Sequence, residues 1–261
     1  MQVRGLECVV TGASEGIGRA VALELASRGC HIVLVARHRD GLERVRLAVE
    51  QGGGRATAAP LDVRDGAAVA ALFSSLAVPP RLVVVNAGIG VHGPAEEMTA
   101  SRAREVLEVN TLGAFHTVAA ALPLLRQASP AALVALSSLS GLIPYTGGTV
   151  YGGSKAAVIH YLRCLRLEVA GSGVAVGWLC PGPVDTRMIV DGVPTAKLPR
   201  LARMLVPVLS PERVAREVVR LAEGGGGGRV VPWTAAFFAG VARHMPRLAE
   251  RVLLLTGAGE A

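Results

Sequence analysis

The stretch TGASEGIGRAVALELA, residues 11–26, follows a short apolar run that is typical of a buried strand. Gly12, Gly16 and Gly18 lie where the pattern changes from strand to helix. Glycine permits a tight turn and a close approach of the backbone to a ligand, and the free N–H groups at a helix N-terminus attract phosphate. The stretch therefore predicts a pyrophosphate-binding turn of a dinucleotide site, with a purely structural glycine turn as the alternative.

Downstream of this turn, apolar β-branched runs alternate with segments of helical periodicity. Strands that are apolar on both faces and alternate with helices are typical of a parallel sheet covered on both sides. We therefore expect an α/β fold with one doubly wound, Rossmann-type sheet of about seven strands. The glycines at 224–228 predict a turn between a helix at 211–223 and a last strand, RVVPW. The other predicted strands are LECVVT at 6–11, HIVLVA at 31–36, LVVVN at 82–86, ALVALSS at 132–138 and VAVGWL at 174–179.

Composition narrows the classes of function. The chain has 261 residues and a formal charge of +7, but its basic residues are scattered and have no interleaved aromatics, which argues against nucleic-acid binding. The cysteines Cys8, Cys30, Cys164 and Cys180 have no metal-ligand spacing and predict buried free thiols in a reducing compartment. No N-terminal signal pattern and no apolar run long enough for a membrane span are present. We expect a cytoplasmic protein without metal, folded as one domain over residues 1–261.

The segment YGGSK, residues 151–155, places Tyr151 and Lys155 four positions apart, on one face if the segment is helical. Together with the glycine turn, this pair resembles the YxxxK and TGxxxGIG motifs of the short-chain dehydrogenase/reductase family. Further motifs match in order across about residues 6–232: LDV with Asp62, NAG at 86–88, VNTLG with Asn110, LSSLSG with Ser138, and PGPVDT at 181–186.

The resemblance implies a hydride transfer between a nicotinamide cofactor and a carbonyl or secondary alcohol. Tyr151 would be the general acid or base, and a lysine ammonium at ~4 Å would lower its pKa toward neutrality. Lys155 would also bind the nicotinamide ribose, and Ser138 would hydrogen-bond the substrate oxygen, with Ser140 as a competing donor. Asn110 would hold a water in a proton relay from Lys155. The glycines 152 and 153 would leave space beside the phenol for a large substrate.

The residue after the second strand selects between the two nicotinamide dinucleotides, because it faces the adenosine ribose. No acid ends this strand; Ala36 is followed by Arg37 and His38, and a guanidinium pairs with a 2′-phosphate. NADP(H) is therefore the expected cofactor, although Glu15, expected to be solvated, stands where many NADP-binding relatives carry a basic residue. Asp62 would bind the adenine amine, or only cap the following turn. By resemblance the remaining cofactor-binding residues are Gly12, Ser14, Gly16, Ile17, Gly18, Val63, Asn86, Ala87, Gly88, Pro181, Gly182, Val184 and Thr186.

Substrate contacts are expected from the loops beyond the strand ends. The long, mostly apolar segment 188–209 predicts a lid over an apolar steroid-like, fatty or polyketide-like compound. Residues 233–261 predict a helical extension, which would pack on the core, form a subunit contact, add to the substrate pocket or rest on a membrane. The resemblance implies a homodimer or homotetramer. A regulatory or scaffold protein that binds NADPH without turnover is the alternative function. The candidate substrate residues are His92, Ile143, Tyr145 and Met188.

Overall fold

A computed structural model describes residues 1–190 and 207–255. Its centre is a parallel sheet with the strand order β3-β2-β1-β4-β5-β6-β7. The doubly wound prediction is confirmed, and the order reverses between β1 and β4, where sheets of this type bind ligands. The strands are β1 Glu7–Thr11, β2 His31–Ala36, β3 Arg55–Pro60, β4 Leu82–Val85, β5 Ala131–Leu136, β6 Val174–Pro181 and β7 Gly227–Val231.

Helices cover both faces of the sheet. Helices α1, α2 and α8 pack on one face through residues such as Leu25, Leu42 and Val218. Helices α3, α5 and α6 pack on the other through residues such as Phe73 and Leu162. The helices are α1 Gly16–Ala26, α2 Arg39–Gln51, α3 Gly66–Ser74, α4 Ala100–Leu107, α5 Gly113–Gln127, α6 Thr149–Glu168, α7 Arg187–Val190, α8 Pro211–Glu223, α9 Trp233–His244 and α10 Pro246–Leu255.

The helices α9 and α10 do not pack into the core as fully as the sequence pattern suggested. Met245, Leu248 and Val252 are apolar residues at helical spacing, yet they are 54%, 45% and 46% exposed, and Trp233 is 78% exposed. Phe238 and Val241 on the same face are half-buried, so core packing explains only part of this apolar face, and subunit contact and membrane contact stay predictions. Over residues 1–190 and 207–255, no helix combines the length and apolarity that a membrane crossing requires.

The cysteines are free thiols, as the sequence predicts. Cys8, Cys30 and Cys180 are buried, but Cys164 is exposed, so the expectation of four buried thiols is wrong at this position. The cause is its place on α6: Leu162 and Leu165 face the sheet, and Cys164 lies on the outward side beside His160. Among the described residues no group of acidic, histidine and cysteine side chains forms a metal site.

Candidate active site

The glycine turn after β1 leaves no room for side chains. Gly12 has a φ of +66°, and a Cβ there would lie 2.8 Å from the Cα of Ala87. A Cβ on Gly18 would lie 2.1 Å from the carbonyl oxygen of Gly12. The N-terminus of α1 carries no side-chain cap, so its N–H groups remain available to an anion. The residues present therefore fit the pyrophosphate of a dinucleotide.

The loops after β1 and β4 are tied together at this turn. Asn86 donates from Nδ2 to the carbonyl oxygens of Thr11 and Gly12, at 3.0 and 3.1 Å. The hydroxyl of Thr11 accepts from the backbone N–H groups of Asn86 and Ala87, at 2.9 and 3.1 Å. Sequence reasoning missed Thr11; its only signal was a threonine in the last position of an otherwise apolar strand. These hydrogen bonds fix the backbone surface against which a dinucleotide would bind.

Tyr151 and Lys155 lie on the first turns of α6 and are 9% and 5% exposed. The ammonium of Lys155 donates to the carbonyl oxygen of Leu136, at 3.2 Å, at the end of β5. Its Nζ lies 5.9 Å from the centre of the Tyr151 ring. Gly88 also faces this pair, since a Cβ there would lie 3.2 Å from Lys155 Nζ. The fold thus brings the NAG segment and the YGGSK segment into one site.

The protonation of the pair differs from the expectation based on an ammonium at ~4 Å. Burial raises the pKa of Tyr151, and its hydrogen bond with Ser138 acts in the opposite direction. Burial also lowers the pKa of Lys155 to about 8. In the protein alone, desolvation is thus the largest influence on the pKa of both groups.

The lowered pKa of Lys155 predicts that kcat/KM depends on pH. Lys155 is charged below its pKa of about 8 and loses its proton as the pH rises through that value. Its ammonium would support both ribose binding and the phenolate, so kcat/KM, which reports the free enzyme, should fall above pH ~8. The measurement is a pH profile of kcat/KM from pH 6 to 10, beside a fluorescence titration of NADPH binding. A flat profile across this range would exclude Lys155 as the controlling group.

Asn110 lies in a π-helical turn, Glu108–Leu112, between α4 and α5. Its side chain makes three hydrogen bonds: Oδ1 accepts from Ile89 N at 2.8 Å, and Nδ2 donates to Ile89 O at 2.9 Å and to Ser154 Oγ at 3.1 Å. Both side-chain atoms thus position the loop after β4 and the helix α6. The two Nδ2 hydrogens are thus used, whereas Oδ1 keeps a second lone pair that is free to accept from the relay water expected from the sequence.

Ser138 follows β5 and faces Tyr151. Its hydroxyl donates to Ser140 Oγ at 3.1 Å and accepts from Ser140 N at 3.1 Å. The neighbouring Ser137 is buried and donates to the carbonyl oxygen of Lys155 at 3.0 Å. Ser140 is therefore a partner of Ser138 and not only a competing donor.

The two glycines between Tyr151 and Lys155 have different surroundings. A Cβ on Gly152 would lie 2.8 Å from the carbonyl oxygen of Ser140, whereas a Cβ on Gly153 would meet nothing within 4 Å. The sequence suggested that Gly152 leaves space for a large substrate, and this expectation is wrong. Gly152 lets α6 approach the turn that carries Ser138 and Ser140.

This contrast makes the two positions a matched pair for mutagenesis. Gly152→Ala should lower kcat about tenfold or more, because the added methyl displaces the serine turn, and small misplacements of reacting groups are costly. Gly153→Ala should keep its activity and gain up to ~1 kcal/mol in free energy of unfolding from helix propensity. Steady-state kinetics and thermal melts measure both effects. Equal kinetics for the two variants would contradict the close approach.

The adenine end of the site lies after β2 and β3. Arg64 binds Asp62 through Nε and Nη2, at 2.9 and 2.6 Å, and its backbone N–H donates to the same carboxylate at 3.0 Å. The hydrogen bond with Arg64 lowers the pKa of Asp62, and the charge of Arg37 acts in the same direction. Asp62 thus caps the turn that follows it, which is the second of the two roles expected from the sequence. Its carboxylate stays ionised. Arg37 and His38 are exposed at the end of β2.

The loop after β6 closes over the glycine turn. Gly182 donates to Val231 O at 2.7 Å, and Thr186 donates to Val184 O at 3.2 Å. A Cβ on Gly16 would lie 3.2 Å from Thr186 Cγ2. Glu15 is solvated, as expected, and also pairs with Arg187 at 3.2 Å; both side chains are more than half exposed. Pro181 ends β6, while Ser14 and Ile17 are half-buried beside the turn.

Three of the four candidate substrate residues, His92, Tyr145 and Met188, lie close together near Tyr151. His92 and Tyr145 are hydrogen-bonded at 2.8 Å, and the His92 ring centre lies 5.3 Å from that of Tyr151. Met188 lies against Gly90 beside the His92 ring. Ile143 is half-buried on the same loop as Tyr145. Residues 191–206 of the predicted lid lie outside the described residues.

Three comparisons with known proteins agree with this arrangement. The ketoacyl reductase HetN from Nostoc sp. is 32% identical over 220 residues, which cover 83% of this chain and 75% of that protein. A short-chain dehydrogenase from Burkholderia cenocepacia in complex with NADP is 25% identical, with a TM-score of 0.83 over 97% of this chain and 99% of that one. A 3-oxoacyl-[acyl-carrier protein] reductase from Brucella melitensis with bound NAD is 26% identical, with a TM-score of 0.77 over 87% and 90%.

The family model described as short chain dehydrogenase matches residues 7–195, which include the glycine turn, Asn110, Ser138, Tyr151 and Lys155. The matched region runs from β1 to beyond the loop that follows β6. The chain therefore belongs to the short-chain dehydrogenase family of oxidoreductases, whose members bind a nicotinamide cofactor.

Proposed function

We propose that the protein is an NADP(H)-dependent oxidoreductase that interconverts a carbonyl and a secondary alcohol on an apolar substrate. The observation that carries this proposal is the convergence of Ser138, Tyr151 and Lys155 at the carboxyl edge of the sheet, next to the glycine turn. A protein that only bound the dinucleotide would have no chemical use for a buried phenol at this position.

Each site residue has a separate role in the proposed reaction. When bound, the nicotinamide dinucleotide supplies or accepts a hydride. The glycine turn, Asn86 and Thr186 would hold it. Tyr151 donates a proton to the substrate oxygen in reduction and removes one in oxidation. Ser138 hydrogen-bonds the same oxygen and stabilises its developing charge, while the Lys155 ammonium favours the phenolate as the proton leaves.

The preference for NADP(H) is argued from charge. The end of β2 carries Arg37 and His38, both exposed, and no carboxylate that would accept from a free ribose 2′-OH. A Cβ placed on Gly41 would lie 3.8 Å from Nη2 of Arg44, which is one turn into α2, and 3.7 Å from Oγ of Ser14. The guanidinium of Arg44 and the hydroxyl of Ser14 are therefore near each other. A guanidinium and a hydroxyl on this side of the turn suit a phosphate.

The apolar substrate is proposed from the surroundings of His92. Met188 lies beside His92, and Ile143 is half-buried on the loop that carries Tyr145, so both add apolar surface to this part of the protein. The relative named as a ketoacyl reductase supports an acyl chain with a keto group.

We further propose that residues 1–261 form one domain, and that the protein is a cytoplasmic homo-oligomer.

A substrate panel tests this function. The purified protein is mixed with NADPH or NADH and with β-ketoacyl thioesters, ketosteroids or short polar ketones, and the nicotinamide absorbance is followed. Turnover of an apolar ketone with NADPH, and markedly slower turnover with NADH, supports the proposal. NADPH binding without turnover of any ketone or, in reverse, any secondary alcohol would favour the regulatory protein instead.

A further inference from the structure

The rings of His92 and Tyr145 form a polar pair beside Tyr151. The Tyr145 hydroxyl lies 2.8 Å from Nδ1 of His92. The ring centre of His92 lies 5.9 Å from that of Tyr145 and 5.3 Å from that of Tyr151. His92 is half-buried, so its ring borders both the Tyr151 side chain and space that is open to a ligand. A group bound by His92 would therefore lie close to a group bound by Tyr151.

Glycines hold this pair in place. A Cβ on Gly148 would lie 2.3 Å from Cζ of Tyr145, so a glycine there lets the ring lie against the backbone just before α6. Gly93 N donates to Gly147 O at 3.0 Å and joins the loop that carries His92 to the loop that carries Tyr145. The backbone of both loops thus sets the positions of the two rings.

The direction of the hydrogen bond between the two rings fixes the proton on the imidazole. A phenol O–H is a stronger acid than an imidazole N–H, and an imidazole nitrogen is a stronger base than a phenol oxygen. Tyr145 therefore donates, and Nδ1 of His92 accepts. Burial keeps both groups neutral at neutral pH, because it raises the pKa of Tyr145 to about 12 and lowers the pKa of His92. The single ring proton of His92 then lies on Nε2.

Nε2 of His92 faces the space between the loops after β4 and β6. A Cβ on Gly90 would lie 3.3 Å from Nε2 of His92 and 2.8 Å from Cγ of Met188. Gly90 belongs to the loop after β4, and Met188 lies in α7, which follows β6. Both loops leave the carboxyl edge of the sheet, where ligands bind in this fold. The hydrogen bonds within residues 1–190 and 207–255 use Nδ1 of His92 and leave Nε2 available to a ligand.

We propose that His92 donates a hydrogen bond from Nε2 to a second oxygen of the substrate, so that the enzyme prefers β-keto esters and thioesters to simple ketones. The proposal rests on the oxidoreductase function proposed above. Tyr151 would bind the keto oxygen, and His92 would bind the ester or thioester carbonyl oxygen. Because the two rings are neighbours, these oxygens must be only a few bonds apart, as they are in a β-keto ester. A simple ketone would leave the N–H unpaired once the substrate excludes water, which costs transition-state binding.

Matched substrates measure this recognition. A β-keto ester is compared with a ketone of the same chain length that has methylene groups in place of the ester, and with a keto ester whose ester lies several carbons further away. The β-keto ester should have a kcat/KM at least about tenfold above the other two, because only its second oxygen can pair with the buried donor. Equal values for the three substrates would overturn the proposal.

Variants at His92 separate the hydrogen bond from the intrinsic reactivity of each ketone. His92→Ala should lower the ratio of kcat/KM for the β-keto ester to that for the simple ketone about tenfold. His92→Gln should restore most of the ratio, because its amide N–H₂ can take the position of Nε2. The matched control is His160→Ala on the outward side of α6, which should keep the wild-type ratio. A ratio that survives His92→Ala overturns the proposal.

Nitrogen NMR of the histidine-labelled protein tests the tautomer without turnover. At neutral pH the signals of His92, assigned by their loss in His92→Ala, should show the proton on Nε2, and Tyr145→Phe should let both tautomers appear. A proton on Nδ1 would overturn the proposal even in an active enzyme. If ketones are reduced without this tautomer or this preference, the oxidoreductase function stands and the recognition by His92 is wrong. No turnover of any ketone or secondary alcohol would refute that function, and the recognition with it.

Discussion

Tyr151→Phe should lower kcat by about 10³-fold or more and leave the NADPH Kd within about twofold of the wild-type value, since a positioned general acid contributes 10² to 10⁴ in rate. The substitution removes only the hydroxyl. The ring stays, and it fills a site that is 9% exposed, so packing and the loops around the dinucleotide should keep their positions. Stopped-flow hydride transfer with an apolar ketone measures the rate, and fluorescence quenching measures the binding.

The control for this experiment is Tyr161→Phe. Tyr161 lies on the same helix about 15 Å further along and stacks on Phe115 with ring centres 4.1 Å apart. Its hydroxyl has no place in the proposed chemistry, so kcat should stay at the wild-type value. If Tyr151→Phe retained wild-type turnover, the proton would have to come from another group, and the proposed mechanism would be wrong.

Arg37→Asp should change the preferred cofactor. A charge-assisted hydrogen bond to phosphate contributes about 1.5–3 kcal/mol, so its loss together with charge repulsion should raise the KM for NADPH about 100-fold. The new carboxylate can accept from the free ribose 2′-OH, so the KM for NADH should fall. Steady-state kinetics with each dinucleotide at a fixed ketone concentration give the ratio of the two kcat/KM values.

Arg55→Asp is the matched charge reversal. Arg55 is exposed at the first residue of β3, at the amino ends of the strands, whereas Arg37 follows the carboxyl end of the neighbouring β2. It changes the net charge by the same amount, so a general electrostatic effect on an anionic dinucleotide would appear in both variants. A preference for NADPH that survives Arg37→Asp, or an equal shift in Arg55→Asp, would refute the assignment of the 2′-phosphate to Arg37.

Local patterns in the sequence were sufficient for most of the fold. The strands β1, β2, β4, β5 and β6 are apolar on both faces because helices cover the sheet on both sides, and that burial is directly visible as β-branched runs. β3 was not marked by such a run. It is an edge strand whose residues are half-buried or exposed, so composition carries little information about it.

The sequence was enough to identify most residues of the site, but not the contacts that these residues make. Tyr151 and Lys155 were found from helical spacing and the family motifs, whereas Thr11, Ser137 and Ser154 were missed because serine and threonine are common in every context. The role of Gly152 was misjudged, since a glycine that leaves space and a glycine that permits contact look the same in a sequence. Only the packing of α6 on the serine turn distinguishes them.

The sequence by itself determined the fold class, the family and the residues that gather at the carboxyl edge of the sheet, because strand burial, glycine turns and helical spacing are local properties. The tertiary structure decided what those residues touch: Asn110 contacts Ile89, Glu15 contacts Arg187, and Tyr145 contacts His92. These contacts join segments that lie up to 172 residues apart in the chain, 187 minus 15. Their distances, and the desolvation that raises the pKa of Tyr151 and lowers that of Lys155, depend on how the loops pack once the sheet has formed.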